Sequence, residues 1–145
     1  MLAESSIFSM FKHYLDTFVA YRPSEVLLLT KTDLLKLFEL DNAILLNYLE
    51  YISNSTLTSK SKIAILSLDS IREKISGYLL HEYKMNGSQI ITLPFSKKEW
   101  AEFINVSRTS LSRELRYMQQ EGIISFQKRT IEMKDLDKLE KILSL

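Results

Sequence analysis

The chain has 145 residues, of which 46% are hydrophobic and 26% are charged, and its formal net charge is +1. That length fits one domain or two small ones, and the charge content excludes wholesale disorder. The absence of cysteine excludes a disulfide scaffold, a thiolate metal site and a cysteine nucleophile. We find neither a membrane-spanning apolar run nor a secretory signal, and therefore expect a cytoplasmic location. The near-zero net charge alone argues mildly against a nucleic-acid partner.

The first forty residues are predicted to contain strands. Thr17–Tyr21 and Glu25–Thr30 are rich in β-forming residues, and the turn signal Arg22-Pro23-Ser24 separates them. Because a two-stranded hairpin is marginal on its own, this segment is expected to be the end of a larger sheet. Thr32 is expected to cap a short helix, Asp33–Glu39.

The longest helical pattern runs from about Asn42 to Leu68, with Asp41 as its expected cap. Alternate steps of four and three residues give a mostly apolar seam, which is typical of a helix that pairs with a copy of itself. A helix packed on its own domain is the alternative, but about 40 Å of helix exceeds what a small domain covers. We therefore predict a dimer interface. It consists of Leu45, Leu49, Ile52, Thr56, Ser59, Ile63 and Leu66.

The next elements are predicted to be a helix and a strand. Ser70 is expected to cap the helix Ile71–Tyr83, and Asn86-Gly87 ends it. The strand Gln89–Leu93 follows.

The segment Lys97–Tyr117 has the pattern of two helices joined by a tight turn, a helix-turn-helix. Ser96 and Glu99 form a capping box at the first helix, Lys97–Ile104. The small side chain of Ala101 allows a close approach of the second helix, and Asn105 is expected at positive φ. The predicted shared core consists of Trp100, Ile104, Val106, Leu111 and Leu115.

The outer face of the second helix, about 107–118, is predicted to bind DNA. Arginine can donate two hydrogen bonds to guanine, and serine and threonine can reach phosphates or base edges. A purely structural helix pair with solvated arginines is the alternative. The predicted contact residues are Ser107, Arg108, Thr109, Ser112, Arg113 and Arg116.

Two short strands are predicted to form a wing at 123–133. Ile123–Gln127 and Thr130–Met133 flank Lys128 and Arg129, which are expected to contact the DNA backbone. A small amphipathic helix closes the chain. From Lys84 to Lys134, nine basic residues oppose five acidic ones, so this segment carries +4 and the remainder −3. The positive charge is therefore concentrated in the predicted DNA-binding unit.

The pieces LSLDSIREKISGYLL, FSKKEWAEFINVSRTSLSREL and EGIISFQKRTIEM resemble the C-terminal part of the Crp/Fnr family of bacterial transcription regulators. The resemblance implies a mainly α fold with small β elements (α+β). It implies a remnant of a cyclic-nucleotide-binding-like β-roll at 1–40, a dimerisation helix at 41–68 and a winged helix-turn-helix domain at 69–145. The chain is then expected to be a truncated or naturally short form of a longer regulator.

The same resemblance implies a homodimer that binds a near-palindromic site in double-stranded DNA, with RNA polymerase as a further expected partner. Arg108, Ser112 and Arg113 match the family's recognition helix. Thr109 departs from it, because it replaces the acid that accepts a hydrogen bond from cytosine.

The resemblance does not imply a cofactor for this chain. In the family's phosphate cassette Ala3 replaces glycine, Glu4 is kept, and Leu15 replaces the phosphate-binding arginine. Without that arginine, we do not expect cyclic AMP to bind. No metal site is expected, since His13 and His81 are expected to be surface or packing residues, and the effector is unknown.

Two other classes of function compete with DNA binding. A winged helix can dock protein without specific DNA binding, although Lys128 and Arg129 at the wing tip disfavour this. An enzyme is not expected, because Glu4, His13 and Asp16 lie close in sequence without a nucleophile elbow, a P-loop or a zinc-protease motif.

Overall fold

The computed structural model describes residues 6–10 and 17–144, and it confirms the predicted mainly helical class with a small sheet. The described elements are α1 (Lys31–Leu40), α2 (Asn42–Leu66), α3 (Ile71–Asn86), β1 (Ile90–Thr92), α4 (Lys97–Phe103), α5 (Arg108–Gln120), β2 (Ile124–Gln127), β3 (Thr130–Met133) and α6 (Leu136–Leu143). The chain divides into two compact units, Met1–Thr58 and Ser59–Leu145, with the boundary inside α2.

Residues 17–30 form no strand, so the predicted strands 17–21 and 25–30 are wrong. A strand needs a neighbouring strand for its backbone hydrogen bonds, and this unit offers none among the residues that the structure describes. The side chains of 17–30 are accordingly exposed. The β-roll remnant at 1–40 stays a prediction, and Ala3, Glu4, His13 and Leu15 lie outside the described residues.

Helix α1 begins at Lys31, two residues before the predicted start, because Thr30 rather than Thr32 is its cap. The Asp33 amide donates to Thr30 Oγ1 and the Thr30 amide donates to Asp33 Oδ2, both at 3.2 Å. The Thr30 hydroxyl also donates to Asp33 Oδ2 at 2.6 Å, and this bond, followed by the bond from the Thr30 amide, lowers the pKa of the Asp33 carboxyl. The first unit also contains an aromatic cluster of Phe8, Phe38 and Tyr48.

Helix α2 is nearly as long as predicted, ending two residues earlier, and its predicted cap is confirmed. The Ala43 amide donates to Asp41 Oδ1 at 2.8 Å. The middle of the helix is polar, and the Thr56 hydroxyl donates to the carbonyl of Ile52 at 2.8 Å. Such bonds satisfy a threonine hydroxyl without a tertiary partner.

The core of the second unit lies between the helices and an antiparallel sheet of order β1-β3-β2. Ile131 at the centre of β3 pairs with Ile91 of β1 and Phe126 of β2. Helix α3 extends to Asn86, three residues beyond its predicted end, and Gly87 caps it at φ 67°. A β-carbon at Gly77 would lie 2.9 Å from Leu68 Cδ1, so glycine lets the turn after α2 pack closely on α3.

Candidate nucleic-acid interface

Helices α4 and α5 form the predicted helix-turn-helix. The capping box is present, since the Ser96 amide donates to Glu99 Oε2 at 2.6 Å and the Glu99 amide donates to Ser96 Oγ at 3.3 Å. Asn105 adopts φ 55°, as predicted for the turn. The Val106 amide donates to the carbonyl of Ala101 at 2.9 Å, and Ala101 is buried. The turn is therefore closed by backbone bonding next to a small side chain.

The predicted shared core of the two helices is confirmed. Trp100, Ile104, Leu111 and Leu115 are almost fully buried, and Val106 is half-buried against them. The Tyr78 ring of α3 packs on Trp100 with ring centroids 5.5 Å apart. Burial around these rings raises the pKa of the Tyr78 hydroxyl.

Ion pairs from Arg72 of α3 hold α5 on the face that points away from the predicted DNA-binding residues. Arg72 Nε donates to Glu114 at 2.5 Å, and its two terminal nitrogens donate to Glu121 at 2.8 and 2.7 Å. These contacts raise the pKa of the Arg72 guanidinium, chiefly through Glu121, and lower the pKa of Glu121. At 100° per residue, Glu114 and Glu121 share a face roughly opposite Ser112 and Arg116. Two acids are thus kept away from the predicted DNA-binding face.

The structure brings the predicted base-contacting residues together on the outer face of α5. They line an open depression, which we call the α5 depression, formed by Arg108, Thr109, Ser112, Arg113 and Arg116. Ser107 caps this helix, and its Oγ accepts from the Ser110 amide at 3.0 Å. The helix continues to Gln120, two residues beyond the predicted end.

A second open depression, the wing depression, adjoins the first through a shared Arg108. It is lined by Ser96, Lys97, Lys98, Arg108, Lys128 and Arg129. The wing tip and the starts of α4 and α5 therefore surround one site. Among the described residues that line the two depressions, none is acidic.

Sequence reasoning missed Ser96, Lys97 and Lys98 as members of this site. Lys97 Nζ lies 4.0 Å from the centroid of the Phe126 ring on β2, which is a cation–π contact. The pKa of Lys97 is lowered, first by partial burial and then by repulsion from Arg108 and Arg116. The consecutive Lys97 and Lys98 after the cap Ser96 indicated positive charge in the sequence, but only the fold shows that they lie beside the wing.

The wing has the predicted strand pairing, with Gln127 opposite Thr130. Strand β2 begins at Ile124, one residue later than predicted. Lys128 adopts φ 55° in the connecting turn, and the carbonyl of Arg129 accepts from the Leu93 amide at 2.8 Å. Both tip side chains are exposed. The side chains of Lys128 and Arg129 are therefore exposed to solvent, while the backbone of the hairpin is hydrogen-bonded to Leu93, directly after β1.

The described part of the chain shows neither a membrane span nor a metal site. Within 6–10 and 17–144, we find no helix of sufficient length and apolar content to cross a bilayer. The same residues contain no cluster of three histidine or acidic side chains arranged to bind a metal ion. His81 is half-buried on α3, and His13 lies outside the described part of the chain.

The profile of the Crp-like helix-turn-helix domain matches residues 73–142. These residues form a Crp-like helix-turn-helix domain. The match includes α4, α5 and the wing, and it confirms the resemblance to the Crp/Fnr family drawn from the sequence. No curated protein sequence matches the chain significantly.

Solved structures share the fold of this chain. FixK2 from Bradyrhizobium japonicum is 16% identical with a TM-score of 0.62, over 78% of this chain and 58% of that one. A CooA mutant from Carboxydothermus hydrogenoformans is 19% identical with a TM-score of 0.66, over 77% and 54%. A CRP-family transcriptional regulator from Thermus thermophilus is 24% identical with a TM-score of 0.61, over 72% and 56%.

The chain therefore spans just over half the length of these solved relatives. At such low identity the likeness establishes the fold.

Proposed function

We propose that the protein is a sequence-specific DNA-binding transcription regulator that acts as a homodimer. Helix α5 enters the major groove, and the wing at 123–133 contacts the DNA backbone. The observation that carries this proposal is the pair of adjoining depressions, joined at Arg108, whose charged lining residues are all cations. A bacterial regulator of this kind acts in the cytoplasm.

The α5 depression supplies groups suited to base edges. Its arginines can make bidentate bonds to guanine O6 and N7, and Ser112 can donate to or accept from a base or a phosphate. The depression is open, so a duplex can approach it without rearrangement of α5. Arg113 lies in this lining and is the residue that we assign most directly to base recognition.

The wing depression supplies groups suited to phosphates. Lysine is a compact donor that binds phosphate without sequence preference, which matches the roles of Lys97, Lys98 and Lys128. Ser107 adds the positive end of α5, where a phosphate is stabilised by the helix dipole and the free amides. These contacts fix the register in which α5 presents its side chains.

The dimer is supported by apolar side chains left exposed along α2. In the seam, Leu49 is 50% exposed and Ile63 is 64% exposed, while Leu45, Ile52 and Leu66 are half-buried. Thr56 and Ser59 are exposed and interrupt the apolar character at the centre. A second copy of α2 would remove these surfaces from water through heptad packing. Two α5 helices about 34–36 Å apart would then meet successive major grooves of a near-palindromic site.

Selection of bound duplexes from a random pool tests the proposal. We expect enrichment of a two-fold symmetric sequence with half-sites about 10 base pairs apart. A pool that shows no enrichment, although the folded protein is dimeric, would favour the alternative of a winged helix that docks protein. The cationic lining of both depressions disfavours that alternative. Contact with RNA polymerase, which the family resemblance implies, is a separate prediction.

A further inference from the structure

Thr109 lies near the start of α5 and lines the α5 depression. It is exposed, so a base in the major groove can reach it. A threonine offers a base two different groups, a hydroxyl that bonds polar edges and a methyl that contacts apolar ones. The hydrogen bonds of the helix cap distinguish between these two uses.

The hydroxyl of Thr109 is engaged within the cap of α5. Its Oγ1 lies 2.8 Å from Ser107 Oγ, and the Ser107 hydroxyl donates to Ser110 Oγ at 2.8 Å. The single hydroxyl proton of Ser107 can serve only one of these two contacts, and with Ser110 as its acceptor Thr109 is the donor in their shared bond. The Thr109 proton is then directed at the cap and not at a base acceptor, although its oxygen keeps lone pairs that can accept from a base amine. The γ-methyl makes no hydrogen bond within the cap and can contact an apolar group of a base.

We propose that Thr109 selects thymine by contact between its γ-methyl and the C5-methyl of the base. Thymine presents a methyl in the major groove, where cytosine has none, and a threonine methyl is suited to that contact. This inference rests on the proposed function, since it requires α5 in the major groove. A carboxylate at this position would favour cytosine, so the methyl of Thr109 reverses the preference.

Deoxyuridine substitution tests the contact without changing the protein. Each thymine of the selected site is replaced in turn by deoxyuridine, which lacks only the C5-methyl, and the affinity of the whole chain is measured by fluorescence anisotropy. At one position in each half-site we expect affinity to fall about fourfold, and about fifteenfold when both half-sites are changed. In a variant site that has cytosine at that position, replacement of the cytosine by 5-methylcytosine should raise the affinity.

Two variants assign the effect to Thr109. Thr109→Ser keeps the hydroxyl and loses the methyl, so it should bind the thymine and deoxyuridine sites equally. Thr109→Val loses the hydroxyl and keeps a methyl, so it should still prefer thymine once thermal unfolding shows that it is folded.

Equal affinity of the wild-type chain for thymine and deoxyuridine at every position overturns the inference, as does undiminished preference in Thr109→Ser. A protein that binds duplex DNA without this discrimination overturns the inference and leaves the proposed function standing. A folded dimer that binds no duplex overturns both.

Discussion

Replacement of Ser76 by alanine should stabilise the protein. Ser76 lies within α3, is fully buried, and its hydroxyl has no hydrogen-bond partner among the described residues. Burial of an unpaired hydroxyl costs about 1–3 kcal/mol, and alanine in a helix is better than serine by about 0.5 kcal/mol. Loss of packing around one oxygen atom offsets part of this. We expect Ser76→Ala to raise the free energy of unfolding by about 1–2 kcal/mol.

Urea unfolding followed by tryptophan fluorescence measures the change in the free energy of unfolding of the second structural unit, Ser59–Leu145. Trp100 is the single tryptophan, and it is buried in the unit that contains Ser76. Ser112→Ala is the matched control, because Ser112 is also helical but only half-buried. The control should gain no more than about 0.5 kcal/mol, from helix propensity alone. Destabilisation by Ser76→Ala would show that the Ser76 hydroxyl forms a bond that stabilises α3, and would refute the reasoning.

Four further outcomes are expected. Arg113→Ala should cost about 1–3 kcal/mol of specific binding and relax base preference at one position per half-site, as measured by repeating the selection; unchanged specificity would exclude Arg113 as a base reader. Arg129→Ala should weaken binding to all sequences alike and lower the slope of log affinity against log salt by about 1 per subunit; a sequence-dependent loss would contradict a backbone role. Ile52→Glu should give monomers in sedimentation, and a persistent dimer would show that the seam is wrong. Because the Glu121 pKa is lowered in the folded state, its pairing stabilises above the ordinary glutamate pKa and is lost as pH falls through the folded value. The destabilisation caused by Arg72→Met, in urea unfolding, should therefore be smaller at about pH 3 than at pH 7, and an equal effect at both would count against the ion pair.

The helix-turn-helix could be predicted because its determinants are local. The capping box of Ser96, the turn at Asn105 and the apolar spacing of the two helices each involve residues within a few positions of one another. The predicted strands before α1 failed for the opposite reason, since a strand depends on a partner elsewhere in the chain. The exact start of α1 could not be predicted, because Thr30 and Thr32 are both good N-caps. The reciprocal hydrogen bonds with Asp33 make Thr30 the cap.

The composition of the candidate site could be predicted only in part, because some of its determinants are distant in sequence. Arg72 lies 42 residues from Glu114 and 49 from Glu121, and only the packing of α3 on α5 brings them together. Lys97 likewise joins the site through its contact with Phe126 on the wing. Counting charges locates a basic segment, but it does not show which cations face the same surface.

The distribution of acids explains how a chain with a net charge of +1 can present a strongly cationic surface. Glu114 and Glu121 are held by Arg72 on the far face of α5, Glu132 pairs with Lys134 at 2.6 Å, and Glu99 bonds to its own cap. The segment charge of +4 therefore understates the field at the α5 depression, whose charged lining residues are all cations. At the wing depression the lining cations are partly offset, because Glu102 lies 3.9 Å from Lys98 and Glu99 interacts with Arg129. Electrostatic attraction of a polyanion depends on this local field more than on the net charge. In the proposed function, Arg72 therefore favours DNA binding without contacting DNA, since it holds two carboxylates away from the face that would meet the phosphates.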